Sequence, residues 1–392
     1  MNIVDRWLLP EGVEDVLPSQ AARMEESRRC LLDLFSTWGY DYVIPPIVEY
    51  LESLLTGTGH DLDLKTLKVT DLLSGRTMGL RADITPQVAR IDAHSLNTPG
   101  VVRLCYAGTV VHSQTEGLLE SRTPLSVGAE LFGDSSNRAD VEIVSLMIES
   151  LRSLGLDGIK VDLGDVAVYR QLVDSLGLNA DQQAQMFAAV QMKSTREIAV
   201  LSQTLGLSAE KTELLCALPD LMGDTSILDK ARDTFRSYPG ILECLDNLQR
   251  VAEAIMVRFA DIDVYLDLSE LRGYAYHTGI VFAAYVSGVR HIVAKGGRYD
   301  HIGEVFGRQG RGATGFSINV RNIADETTLT SEHRSTVVVT GAADAQDGKA
   351  LWSEIQRLRE NGYTVLESGE PADHDFELVF EDGNWVLAQG AS

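Results

Sequence analysis

The chain has 392 residues, enough for roughly two or three domains. Its 44% hydrophobic and 23% charged content excludes a disordered, collagen-like or coiled-coil protein. Lys and Arg number 34 against 57 Asp and Glu, a formal charge of −23 with no basic run, which disfavours a grip on nucleic acid and favours a small ligand or a protein partner.

Residues 19–38 place Met24, Leu31, Leu34, Phe35 and Trp38 on one helical face, with Gly39 where a left-handed cap is expected. Tyr40 to Val48 reads as an edge or interface strand, because Pro45-Pro46 cannot sit inside a central ladder. The runs VVRLCYAGTVV and LSVGAELFG, between Val101 and Phe132, predict antiparallel strands, and helical spacing returns over 138–155. From Tyr169 to about Phe259 the pattern is almost wholly helical, stopped by Gly177, Gly206 and Gly223, as in an inserted helical module. Strand patterns resume over 263–286 and in HIVAKGGRYD. After a polar hinge at 325–335, the tail reads as one βαβ unit: strand Thr336–Val339, helix Lys349–Glu360, strand Tyr363–Leu366.

Common chemistries leave no signature. Cys30, Cys105, Cys216 and Cys244 are far apart and form no C-x-x-C pair, so no zinc, redox or cofactor site is legible. GRGATG at 310–315 fits G-x-G-x-x-G without the preceding buried strand, and reads as a loop entering a strand. No phosphoribosyl diphosphate loop is found; VVVTGAADAQDG at 337–348 lacks the acidic pair at the strand end. The start MNIVDRWLLPEG is not a signal peptide and no apolar stretch reaches a membrane span, so a cytoplasmic protein is expected.

More informative is GLRADITPQVARIDAH, 79–94, where Arg81, Asp83 and Thr85 alternate along an expected strand and share a face. A solvent-exposed face explains that alternation equally well. Two further segments add to it: GAELFG, with Glu130 between apolar neighbours, and LRGYAYHTG at 271–279, with Arg272, Tyr276 and His277.

The order of these segments over about residues 8–325 resembles histidyl-tRNA synthetase, a class II aminoacyl-tRNA synthetase. The first helix with the Pro45-Pro46 strand is similar to the first motif, Tyr106–Gly133 to the second, LRGYAYHTG and KGGRYD to the histidine signatures, and GFSINVRNI to the third. The resemblance implies an α+β fold: an antiparallel sheet flanked by helices (1–168 and 260–325), a helical insertion (169–259) and a small C-terminal α/β domain (336–392).

Departures from the family pattern set the expected function. His112 and Asn322 stand where the family places the arginines that grip ATP phosphates, Gln114 replaces an acid, and Arg321 is one residue out of register. One such donor is worth about 3–4 kcal/mol in a transition state, so losing two argues against aminoacylation. The histidine pocket keeps its candidates. By the resemblance, Asp83 and Thr85 face the ligand ammonium, Arg272 its carboxylate, and Glu130 with Tyr276 its ring. Ser126 and His277 complete the set in altered form. This combination resembles a paralogous family, the regulatory subunits of ATP phosphoribosyltransferase. It implies no catalytic residues, L-histidine as ligand, and a homodimer within a hetero-oligomer with a short-form catalytic subunit, without tRNA. A divergent histidine-activating ligase and a stand-alone histidine sensor remain as alternatives.

Overall fold

The computed structural model describes residues 8–56, 60–115, 121–271, 273–274, 276–306, 310–329, 334–340, 348–367 and 374–390. They form two compact units, 1–329 and 330–392.

The first unit is built on a nine-stranded sheet in the order Asp41–Tyr42, Val102–Thr109, Leu125–Phe132, Ala313–Asn319, Ala294–Arg298, Ile280–Tyr285, Lys160–Asp165, Asp263–Asp267 and Met222–Gly223. The six strands from Val102–Thr109 to Lys160–Asp165 are antiparallel throughout. Parallel pairs flank them at Asp41–Tyr42 and at Asp263–Asp267, so the sheet is mixed rather than purely antiparallel. The expected edge strand over Tyr40 to Val48 is only partly formed: Asp41–Tyr42 takes the sheet edge, the stretch through Pro45-Pro46 is irregular, and Val48–Tyr50 joins a separate three-stranded sheet.

The two faces of the large sheet differ because side chains alternate along each strand. Val127, Ala129 and Leu131, with Phe316 and Ile318, turn into one core under the helices Pro18–Thr37, Asn137–Ser153 and Pro239–Arg258. The first helix presents buried Leu31 and Phe35, whose ring meets Phe316 edge-on at 5.9 Å. The helical stretch runs from Val166–Leu176 to Pro239–Arg258 and shares this core through Leu245, Leu248 and Ile255. It also adds the short strand Met222–Gly223 to the sheet edge.

On the helix face, Arg298 forms a buried ion pair with Asp140 at 2.9 Å. The Arg298 guanidinium also donates to the Asp134 and Ser136 carbonyls. The arginine of KGGRYD is therefore a structural strut, turned away from the opposite face. Burial raises the Asp140 carboxyl above its ordinary range even with Arg298 opposing it.

The 330–392 unit is a four-stranded sheet, Thr364–Leu366, Thr336–Val339, Phe376–Glu381 and Asn384–Gln389, with the helix Gly348–Glu360. Val337, Ile355, Leu358, Val365 and Leu378 make its small core. The expected βαβ unit is extended by a C-terminal hairpin, turned at Asp382-Gly383 with φ of 47° and 83°.

Candidate functional site

The sheet face away from the helices carries a cavity of about 410 Å³, within the range of small-molecule sites. Its floor follows from alternation. Glu130, Gly315, Gly297 and Val281 come from adjacent strands at paired positions: Gly315 opposite Glu130, Gly297 opposite Gly315, Val281 opposite Gly297. Glycine at 315 leaves the room that Glu130 fills: a Cβ there would lie 1.6 Å from Glu130 Oε2, so the carboxyl would have to move. The last glycine of GRGATG thus makes room for a carboxylate rather than cradling a phosphate.

Glu130 is buried and held from two sides: Thr85 Oγ1 donates to its Oε1 at 2.7 Å, and the Tyr299 hydroxyl donates to its Oε2. Thr85 also lies 3.3 Å from the Tyr106 hydroxyl. Burial pushes the Glu130 carboxyl up to about 8, with the Asp83 charge adding to the effect and the Tyr299 and Thr85 hydrogen bonds opposing it. In the free chain this group is mostly protonated at pH 7. Its folded-state pKa exceeds the unfolded one, so its contribution to stability falls as pH rises from the ordinary carboxylate range toward 8.

Above Glu130, Tyr276 stacks on Tyr299 with centroids 4.9 Å apart, and the buried Tyr276 hydroxyl has no hydrogen-bond partner among the described residues. His277 lies beside it, its Nδ1 3.3 Å from the Arg298 carbonyl oxygen. Burial pushes this imidazole down to about 4, so it is neutral at pH 7. Asp83 and Thr85 reach the cavity by a route the sequence did not suggest. The strand stops at Leu80, the Asp83 carboxylate accepts the Thr85 N–H at 3.1 Å, and the helix Thr85–Arg90 begins there with Pro86 in its first turn. The expected strand over 81–85 is therefore replaced by a turn. Arg81 leaves the set, its guanidinium donating to the Thr109 and Pro45 carbonyls.

Asp83, Thr85, Glu130, Tyr276 and His277 are thus gathered on one cavity. Ser126 is not: four residues along the strand from Glu130, roughly 13 Å away, it lines an adjoining compartment of about 420 Å³. Arg272 lies outside the described residues. Among the lining residues that sequence reasoning did not single out are Tyr299, Lys295, Glu270 and Gln191. Tyr299 could have been found by continuing the alternation Lys295, Gly297, Tyr299 through KGGRYD; Gln191, in the helical stretch, carried no signal.

The adjoining compartment shares Asp83, Lys65, Lys295 and Ser317 with the first and is bordered by His112 and Asn322. His112 Nε2 lies 3.1 Å from the Ala82 carbonyl oxygen. Arg321 pairs with Glu14 at 2.9 Å and does not replace an arginine at position 322. No helix among the described residues is long and apolar enough to cross a membrane.

A family model described as histidyl-tRNA synthetase matches residues 12–323. A Pseudomonas paraeruginosa protein named ATP phosphoribosyltransferase regulatory subunit is 47% identical, over 100% of both chains. A crystal structure from Bacillus halodurans, titled an ATP phosphoribosyltransferase regulatory subunit/histidyl-tRNA synthetase, superposes with a TM-score of 0.81 at 26% identity, covering 93% of each chain. A histidyl-tRNA synthetase from Nostoc sp. PCC 7120 has the same fold, with a TM-score of 0.76 at 17% identity, covering 98% of this chain and 97% of that one.

Proposed function

This chain belongs to the ATP phosphoribosyltransferase regulatory subunits, a branch of the histidyl-tRNA synthetase fold, and from that premise we propose that it activates a short catalytic subunit in the first step of L-histidine biosynthesis and carries feedback inhibition by histidine. The observation that carries the ligand assignment is the buried Glu130 carboxyl, hydrogen-bonded by Thr85 and Tyr299 beneath the Tyr276 hydroxyl, which has no hydrogen-bond partner among the described residues. An imidazole offers a donor and an acceptor nitrogen, and this pair of groups can serve both. Asp83 and Thr85 suit the ammonium group. Arg272 is assigned the carboxylate by family resemblance.

The chain works as a homodimer within a hetero-oligomer, in the cytoplasm and without tRNA. Histidine in the cavity favours a less active arrangement of the assembly, and by linkage the catalytic state must alter histidine affinity in return. A histidine-activating ligase is disfavoured by His112 and Asn322 at the adjoining compartment and by the Arg321–Glu14 pair.

The test is the rate at which a short-form catalytic subunit makes phosphoribosyl-ATP, alone, with this chain, and with added L-histidine. Stimulation by the chain and its reversal by histidine are expected. Unchanged rates throughout, with histidine-dependent ATP–pyrophosphate exchange by the chain alone, would establish the ligase instead.

A further inference from the structure

Tyr274 and the pair Tyr276 and His277 turn in different directions. Tyr276 and His277 face the cavity, whereas Tyr274 is not among the residues lining it. Tyr274 turns instead into the helical stretch. Its ring lies 5.1 Å from Phe187, on the helix Ala180–Gln191, and 5.3 Å from Tyr169, on the helix Val166–Leu176. The Arg170 guanidinium sits 4.7 Å over the same ring, and its Nη2 donates to both the Tyr274 and His277 carbonyls, at 3.0 and 2.9 Å.

Two more contacts tie the same elements. The Val166 N–H donates to the Gly279 carbonyl at 3.1 Å. Lys193 Nζ, just beyond the helix Ala180–Gln191, meets Asp267 Oδ2 at 2.5 Å, and the Asp267 carbonyl accepts the N–H of the cavity-lining Glu270. The helix Ala180–Gln191 itself ends on the cavity with Gln191. The ligand-facing loop is therefore gripped from behind by the helical stretch at its ring, its carbonyls and its approach strand. Ordering the front of such a loop must restrain what its back is packed against, because packed elements shift as units rather than deforming continuously.

We propose that Tyr274 is a positioning residue that transmits occupancy of the cavity to the helical stretch Val166–Arg258, making that stretch the part of the chain that registers the ligand. The proposal rests on the histidine reading above and adds the route. Tyr274 itself has no contact with the ligand, so its loss separates transmission from binding.

The experiment is amide hydrogen exchange of the full chain with and without saturating L-histidine, beside calorimetric titration of the same samples. In the wild type, histidine slows exchange in Ala180–Gln191 by at least about fivefold. Tyr274→Ala keeps the histidine Kd within about fivefold and abolishes that protection, and Tyr274→Phe, which retains the ring, restores it. Should Tyr274→Ala not fold, Phe187→Leu probes the same contact from the other side, with the same expected loss. Equal protection in the ring-deleted variants, or a wild type that binds histidine with no protection of Ala180–Gln191, overturns the proposal. A wild type that takes up no histidine overturns the ligand reading and this proposal with it.

Discussion

The two adjoining compartments on one sheet face are furnished in opposite ways. The Glu130 cavity holds a buried carboxyl fixed by two hydroxyl donors, a glycine floor that leaves room for it and a tyrosine hydroxyl with no partner among the described residues. The neighbouring compartment is bordered by His112 and Asn322, which the sequence resemblance sets at the positions of the family's phosphate-binding arginines. Recognition of a small ligand needs only the first set. Transfer chemistry on a nucleotide needs preset charge in the second, where electrostatic stabilisation is the largest single contribution to rate. On the function proposed above, the first set serves recognition while the second lacks the charge that transfer chemistry would need.

That contrast can be broken or sharpened by substitution. The largest effect is expected from Gly315→Ala: the new methyl displaces the Glu130 carboxyl, and L-histidine binding measured by calorimetry falls more than about 100-fold, the loss of hydrogen bonds to a charged group alone being worth about 1.5–3 kcal/mol. Glu130→Gln follows, with a loss of roughly 10- to 100-fold on the same grounds and a changed pH profile. The sign comes from proton counting. Glu130 holds its proton up to about 8, whereas a free imidazole is neutral above about 6.5. Between those values the free chain and free ligand already carry the single proton that the complex shares. Below about 6.5 one proton must leave on binding, and above about 8 one must be taken up. Affinity should therefore peak between them and fall toward tenfold per pH unit on each side, and Glu130→Gln should erase the alkaline limb.

Tyr276→Phe removes one neutral hydrogen bond and should weaken histidine by about three- to tenfold. The smallest effect belongs to the other compartment: His112→Arg with Asn322→Arg should leave histidine affinity within about twofold. A tenfold loss in that variant would show that the two compartments do not act separately.

Much of the scaffold was legible. Leu31 and Phe35 lie on the predicted face of the first helix, and Gly39 adopts φ of 80° as its cap requires. The strands of the second motif sit where the apolar runs put them. Residues 81–85 were misread because alternation in sequence is the same for a strand and for a turn whose Asp83 captures the next-but-one N–H. The C-terminal hairpin was available, since Asp382-Gly383 between alternating apolar residues is a strong turn signal. Within the site, Glu130 stood out as an acid flanked by apolar residues. Tyr299 was within reach of the same strand alternation, whereas Gln191, brought to the cavity lining from a distant helix, leaves no local trace.

The most direct test is histidine inhibition of the reconstituted transferase, comparing the wild-type chain with Glu130→Gln over a range of L-histidine concentrations. The account predicts that half-inhibition shifts upward at least about tenfold in the variant, in step with its weakened binding. An unchanged inhibition curve would place histidine elsewhere and contradict the role given to the Glu130 cavity.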